Sequence, residues 1–245
     1  MKKVVLIILS AITLFSCKSE KKMSNDFIGH WVNEDFYNHI ASKKSLLDYS
    51  GEKIEFVIPE TDTNYTYINF MGKITSGPLE LMDNNHLVIK NFFGNYKNAD
   101  VLLSGDELKL LNNETSEEMI FKKVKLEDIG SKEVEYFTTY CMPLINKNYI
   151  SGKYIINADT VEFNPAGKIV NLGKFENYSF CLTADCRNSD KFNTIFLSNK
   201  SNEGNYYDYQ IKPDSLIIYE IDEVAFSRGM KGGNTGVKFA FKKIN

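Results

Sequence analysis

The chain of 245 residues is 43% apolar and 25% charged, with only 5 prolines and 15 glycines, which excludes a disordered or collagen-like polymer. Its 29 basic and 32 acidic side chains leave a net charge of −3, so no overall positive field draws in nucleic acid, which is excluded as a partner. At ~150 residues per domain, the length holds one large domain or two small ones, either able to bury a core.

The first element is a leader. Lys2 and Lys3 precede an unbroken apolar run over 4–9, and the apolar stretch is too short to span a bilayer. A small residue, Ser16, stands at the cleavage point, so residues 1–16 read as a secretory signal peptide outside the fold. Leu14-Phe15-Ser16-Cys17 resembles the lipobox of bacterial lipoproteins, with Phe15 where that family usually has a small residue. The resemblance implies that Cys17 is acylated, palmitate included, and becomes the first residue of the mature chain. Acyl chains contribute about 0.8 kcal/mol per buried methylene, so they hold a globular body at a membrane without a spanning helix. Loss of Lys2 and Lys3 takes the net charge from −3 to −5. Lys18 follows the cysteine where some bacteria place a retaining Asp, which points to a lipid anchor in the outer membrane, on its periplasmic or surface face. Residues 17–25 are polar and lack an apolar period, as a flexible tether requires.

Export places the remaining cysteines, Cys141, Cys181 and Cys186, in an oxidising compartment. Cys181 and Cys186 stand equally as a disulfide closing a short loop or as two thiols, and Cys141 reads as a small buried apolar residue. No metal site is expected, because zinc takes about four ligands and no histidine lies near that pair.

Beyond residue 26, short runs rich in β-branched and aromatic residues alternate with Asn, Asp and Gly. They predict strands over 53–58, 65–70, 87–93, 107–111, 119–124, 153–156, 160–163, 177–182, 194–197, 206–211, 215–221 and 237–244, hence a mainly antiparallel β protein. Period-two alternation in Ile54-Glu55-Phe56-Val57-Ile58 sends one side inward and the other, with Glu55, toward water. Residues 34–47 carry Phe36, Tyr37, Ile40 and Leu47 at near-helical intervals with Asn33 as cap, so a helix is expected there. Residues 125–147 read as a partly helical connector.

The chain on either side of the connector can be laid over itself. Residues 27–32 match 149–155 with one insertion, 53–56 match 160–163, 105–110 match 212–218, and Phe121-Lys122-Lys123-Val124 matches Phe241-Lys242-Lys243-Ile244. Gly29 to Lys123 spans 94 residues and Gly152 to Lys243 spans 91, so two copies are expected: a first β domain over 26–124 and a second over 148–245. One larger barrel or sandwich with a helical insertion remains the competing account. Gly29-His30-Trp31, the helix after it and the strand ending in Phe-Lys-Lys resemble the opening of lipocalin-like barrels, a fold that many bacterial lipoproteins carry. The resemblance implies small lipocalin-like barrels or meander sheets, a Trp31 that closes one end, and an interior holding a small apolar molecule. Tyr154 stands where the second copy would have Trp, a departure that bears on any cavity there.

Chemistry is sparse. The three histidines, His30, His39 and His86, lie in no recognised metal spacing, and no Gly-x-Ser-x-Gly elbow is present, so no enzyme activity, catalytic residue or cofactor is expected. The Gly-rich segment 227–238 lacks phosphate-loop register and reads as a hairpin loop. Tyrosine clusters such as 206–209 read as core-edge residues. The functional expectation is a lipid-anchored, non-catalytic binding module for a small apolar molecule, its ligand-binding residues unassigned. The alternative is a structural or interaction lipoprotein that uses its outer sheet surfaces, with an envelope protein as partner and no ligand cavity.

Overall fold

The computed structural model describes residues 23–42, 46, 49, 54–60, 64–69, 73–90, 92, 98–112, 118–125, 141–181, 193–222 and 234–244. Eight strands form a first closed barrel: β1 (Gly29–Asn33), β2 (Ile54–Ile58), β3 (Asn64–Asn69), β4 (Lys73–Asp83), β5 (His86–Ile89), β6 (Ala99–Ser104), β7 (Glu107–Asn112) and β8 (Glu118–Val124). Eight more form a second: β9 (Gly152–Ile156), β10 (Asp159–Phe163), β11 (Lys168–Leu172), β12 (Phe175–Phe180), β13 (Asn193–Ser198), β14 (Gly204–Lys212), β15 (Ser215–Ile221) and β16 (Asn234–Lys243). Each strand pairs antiparallel with the next, and β8 closes on β1 as β16 closes on β9. Closure removes free sheet edges, and eight strands leave a lumen about wide enough to be filled by side chains. The protein is therefore two small antiparallel barrels, not one larger barrel, and the arrangement is compatible with a lipocalin-like fold.

Two helices complete the described structure, α1 (Glu34–Ala41) and α2 (Cys141–Tyr149). The Asn33 side chain accepts a hydrogen bond from the Phe36 N–H at 3.3 Å, as expected of the cap, while Glu34 and Asp35 favour the positive end of α1. In the expected connector the helix is α2, and Pro143 sits in its first turn, where the missing N–H costs no intrahelical bond. Residues 126–140 lie outside the described residues.

The two barrels repeat one another in detail. Gly29 and Gly152 open their first strands at φ 141° and 140°, a conformation that side chains rarely adopt. Two residues on, the Trp31 Nε1–H donates to the Phe27 carbonyl at 2.9 Å, and the Tyr154 hydroxyl donates to the Ile150 carbonyl at 2.7 Å. Trp31 pairs with Lys123 and Tyr154 with Lys243; Leu108 pairs with Phe121 and Leu216 with Phe241. Tyr154 is thus the counterpart of Trp31, fastening the entry of the chain by its hydroxyl instead of an indole N–H.

The barrels are joined through a shared core. Alternation puts Val32 and Val124 on the outer wall of the first barrel, where they pack with Phe36 and Ile40 of α1 and with Cys141, Leu144 and Ile145 of α2. The same cluster continues through Tyr149 and Ile150 into the interior of the second barrel, with the Tyr149 and Phe180 rings 6.4 Å apart. Asn146 of α2 ties the helix to the β10–β11 turn by donating from Nδ2 to the Pro165 carbonyl at 2.9 Å.

Candidate functional site

The interiors come first, because a bound molecule would have to share them with side chains. In the first barrel Phe27, Trp31, Phe56, Tyr65 and Phe121 are all 0% exposed, so no surface remains on them for water to touch. Phe56 stacks on Tyr65 at 5.4 Å, and Phe92 and Phe121 lie within 6.4 Å of Phe56. In the second barrel Tyr154, Phe163 and Phe241 form a triangle with ring centroids 5.5–6.1 Å apart, and Tyr178 lies 5.3 Å from Phe163. These edge-to-face arrangements contribute roughly 0.5–1.5 kcal/mol per pair beyond area burial. Burial pushes the Tyr154 hydroxyl up to about 12 and the Tyr178 hydroxyl still further in the same direction.

Each barrel is stoppered where its first strand begins. In the first, residues 23–28 turn beneath the lumen, Phe27 is buried and Met23 packs against the core. Lys123 closes the same end: its Nζ donates to the Asp26 carbonyl at 2.8 Å and lies 5.2 Å from the Trp31 ring. Burial lowers the Lys123 amine, with Asp26 acting in the opposite sense. Trp31 thus sits inside the core at the closed end. In the second barrel α2 and Ile150 form the stopper. The opposite mouth carries Leu172, Phe175, Tyr207 and Ile221, with Phe239 6.0 Å from Phe175 and the Lys174 amine 5.5 Å from the Phe175 ring.

The outer wall of β5–β8 is a chequerboard. Val88, Asp100, Leu111 and Glu118 lie in register across the four strands, and His86, Leu102, Lys109 and Ile120 form the next row. Polar groups in adjacent rows pair with each other, with His86 Nε2 2.6 Å from Asp100 and Lys109 2.9 Å from Glu118. Lys122 bridges Glu107 at 2.5 Å and Glu34 at 3.1 Å. The hydrogen bond from Lys122 lowers the Glu107 carboxyl, and its bonds to Glu107 and Glu34 raise the Lys122 amine. The four apolar side chains between these pairs are half-buried, so the wall is apolar in patches with its polar groups paired.

One residue overturns its sequence reading. Glu55, expected in water, is 0% exposed although it points away from the lumen. Its Oε1 lies 2.6 Å from His30 Nδ1, and its Oε2 accepts from the Cys141 N–H at 3.2 Å. The carboxylate is covered by the N-terminus of α2, which Cys141 opens and whose dipole favours an anion. Alternation within β2 contained no signal for this, because the covering element comes 86 residues later.

The sequence-derived sites fare unevenly. Cys17 and Cys186 lie outside the described residues. Cys181 is disulfide-bonded, and Cys141 is in no disulfide and is buried at 0% exposure. Of the Gly-rich segment, residues 227–233 are outside the described residues and the remainder belongs to β16. Tyr207 and Tyr209 face the second core, whereas Tyr206 is on the outside, 5.0 Å from Phe196. His39 packs on Tyr49 at 5.0 Å, and the histidines do not converge. Among the described residues no group of three His, Cys, Asp or Glu side chains could hold a metal ion, and no helix is long and apolar enough to cross a membrane. No family model matches the chain, and no curated protein is similar to it.

Proposed function

We propose that the chain is a lipid-anchored, non-catalytic envelope protein whose two filled barrels form one rigid body that acts through its outer surfaces. The observation that carries this reading is the filling of both lumens by interlocked rings, Trp31, Phe56, Tyr65 and Phe121 in one and Tyr154, Phe163 and Phe241 in the other. A molecule large enough to need a barrel would have to displace several of them, and truncating one buried ring costs roughly 3–5 kcal/mol. The chequered wall of β5–β8 supports the same reading, because half-buried apolar side chains among paired polar groups suit a protein partner better than open water. The lipobox resemblance at Cys17 supplies the anchor and the envelope location.

Native mass spectrometry of the chain from residue 18 onward tests the surface reading. Under it the protein flies at its own mass after purification from cells, whereas stoichiometric co-purified lipid would refute it. Fractionation tests the anchor: Cys17→Ala moves the protein from the membrane to the soluble fraction, and unchanged retention would end the assignment.

A second reading, capture of an apolar molecule, is favoured by the mouth of the second barrel. There the buried Phe175 and Tyr207 and the half-buried Phe239 pack together beside Lys174, an apolar cluster with one cation. Phe175→Ala would abolish fluorescent fatty-acid binding under this reading, and under the surface reading no binding exists to abolish.

A further inference from the structure

The position of the leash relative to the first barrel carries a further step, which rests on acylation of Cys17. From Cys17 to Met23 the chain advances six residues, which at ~3.3–3.6 Å each reach about 20 Å when fully extended. Met23 is packed against the first barrel's core, and Phe27 is wedged beneath the lumen at the end where β1 begins. The Trp31 and Lys123 bonds to the Phe27 and Asp26 carbonyls hold this turn in place, so the leash cannot lengthen by peeling residues 24–28 away without breaking them. We infer that the stoppered end of the first barrel is the face presented to the lipid bilayer, with the strands standing away from it.

That end consists of the 23–28 turn, the Asn84-Asn85 turn, the Gly105-Asp106 turn and the finish of β8 at Val124. The mouth of the same barrel lies one strand length away: Asn98 stands five positions before Leu103, whose N–H donates to the Asn85 carbonyl at 2.9 Å. At ~3.4 Å per residue this is about 17 Å. A bilayer that the body cannot enter, and a leash little longer than that strand, together favour the orientation with the stopper down. On this end Lys125 is paired with Asp106 at 3.4 Å and Lys123 is taken up by the Asp26 carbonyl, so attraction to anionic head groups comes from the leash, with Lys18, Lys21 and Lys22 against one acid, Glu20. The chequered wall, which runs along the strands, then stands perpendicular to the membrane and is open to a partner from the side.

The test uses the full acylated chain, purified from membranes and reconstituted in vesicles that contain phosphatidylglycerol and a head-group nitroxide lipid. A fluorescent amino acid replaces the exposed Asn85 in one sample and the exposed Asn98 in another, and intact mass establishes acylation in each. Quenching at position 85 at least twofold stronger than at position 98 is expected. A 20-residue Gly/Ser insertion between Lys22 and Met23 should bring the two signals together, since the leash then spans about 25–30 Å on average. Equal quenching without the insertion, or stronger quenching at 98, in a protein that carries its acyl chains overturns the orientation alone. An unmodified Cys17 overturns the anchor reading and the orientation with it.

Discussion

Replacing Glu55 tests how the two barrels are held together. Its carboxylate is fully buried and joins three elements, accepting from the α2 backbone at 3.2 Å and meeting His30 of β1 at 2.6 Å. Glu55→Ala removes the acceptor from both groups. Hydrogen bonds to charged groups contribute about 1.5–3 kcal/mol each, while the dehydration cost of the carboxylate is recovered on its removal, so a net loss of about 3 kcal/mol is expected. Glu55→Gln keeps an acceptor oxygen and loses only charge, and it should cost about 1 kcal/mol. For a chain of this size a 3 kcal/mol loss lowers Tm by roughly 6–12 °C. Thermal and urea unfolding followed by circular dichroism measures both, with Glu220→Ala as control. Glu220 forms an exposed pair with Lys238, whose worth is at most about 1 kcal/mol. If Glu55→Ala proves no more costly than Glu220→Ala, the carboxylate is not clamped under α2 and the account of the junction is wrong.

Gly77→Ala places a Cβ 3.0 Å from the Tyr65 ring and 3.2 Å from the Lys90 carbonyl; overpacking of this kind costs about 1–3 kcal/mol, and an unchanged urea midpoint would contradict it. Trp31→Ala should cost about 3–5 kcal/mol, the range for a buried aromatic, and a loss under 1 kcal/mol would show that Trp31 is not in the core. Tyr154 gives a pH dependence: its pKa is raised from 10.0 to about 12, so the folded protein holds a proton that the unfolded chain releases. Stability is therefore full below pH 10 and falls toward pH 12, by about 3 kcal/mol at 1.36 kcal/mol per unit. Tyr154→Phe removes that part of the alkaline slope and its hydrogen bond to Ile150, and an alkaline profile identical to the parent's would refute the assignment.

Strand rhythm made the β class readable, and the matched segments around residues 29, 108 and 121 correspond to equivalent registers in the two barrels. Four strands lie outside the predicted runs: β1 entered only through the Gly29-His30-Trp31 resemblance, and β4, β6 and β11 each break the alternation for a local reason. Gly77-Pro78 lies in the middle of β4, where proline removes a ladder donor and the tyrosine opposite fills the space above glycine. In β6 Val101, Leu102 and Leu103 are apolar in succession, with Leu102 on the outer wall opposite Lys109. In β11 Asn171 takes φ 64°, and the register to β12 shifts between Lys168 and Leu172. The burial of Glu55 was illegible for a different reason, since periodicity within a strand reports which side faces the lumen and nothing about what later covers the other side. Trp31 was legible, through the resemblance, as the residue that closes one end, but the tightness of its packing was not, because volume depends on which rings share the lumen.

The shared core limits how the two copies can behave. Had they been beads on a linker, the outer wall at Val32 and Val124 would face water, and the second barrel would carry its own stopper independent of the first. Instead α2 does both tasks at once, closing the second lumen through Tyr149 and Ile150 while Cys141, Leu144 and Ile145 cover the first barrel's wall and α1. Removing α2 would expose apolar surface on both sides, so neither barrel can open at this junction without cost to the other, and unfolding is expected as one transition. A body of that kind keeps the distance between its surfaces fixed, which is useful to a tethered protein that meets a partner away from the bilayer and is of no use to one that must flex to admit a ligand. Two separated unfolding transitions, at midpoints that move independently when Leu144→Ala is introduced, would mean that the helix is not shared and that the barrels act singly.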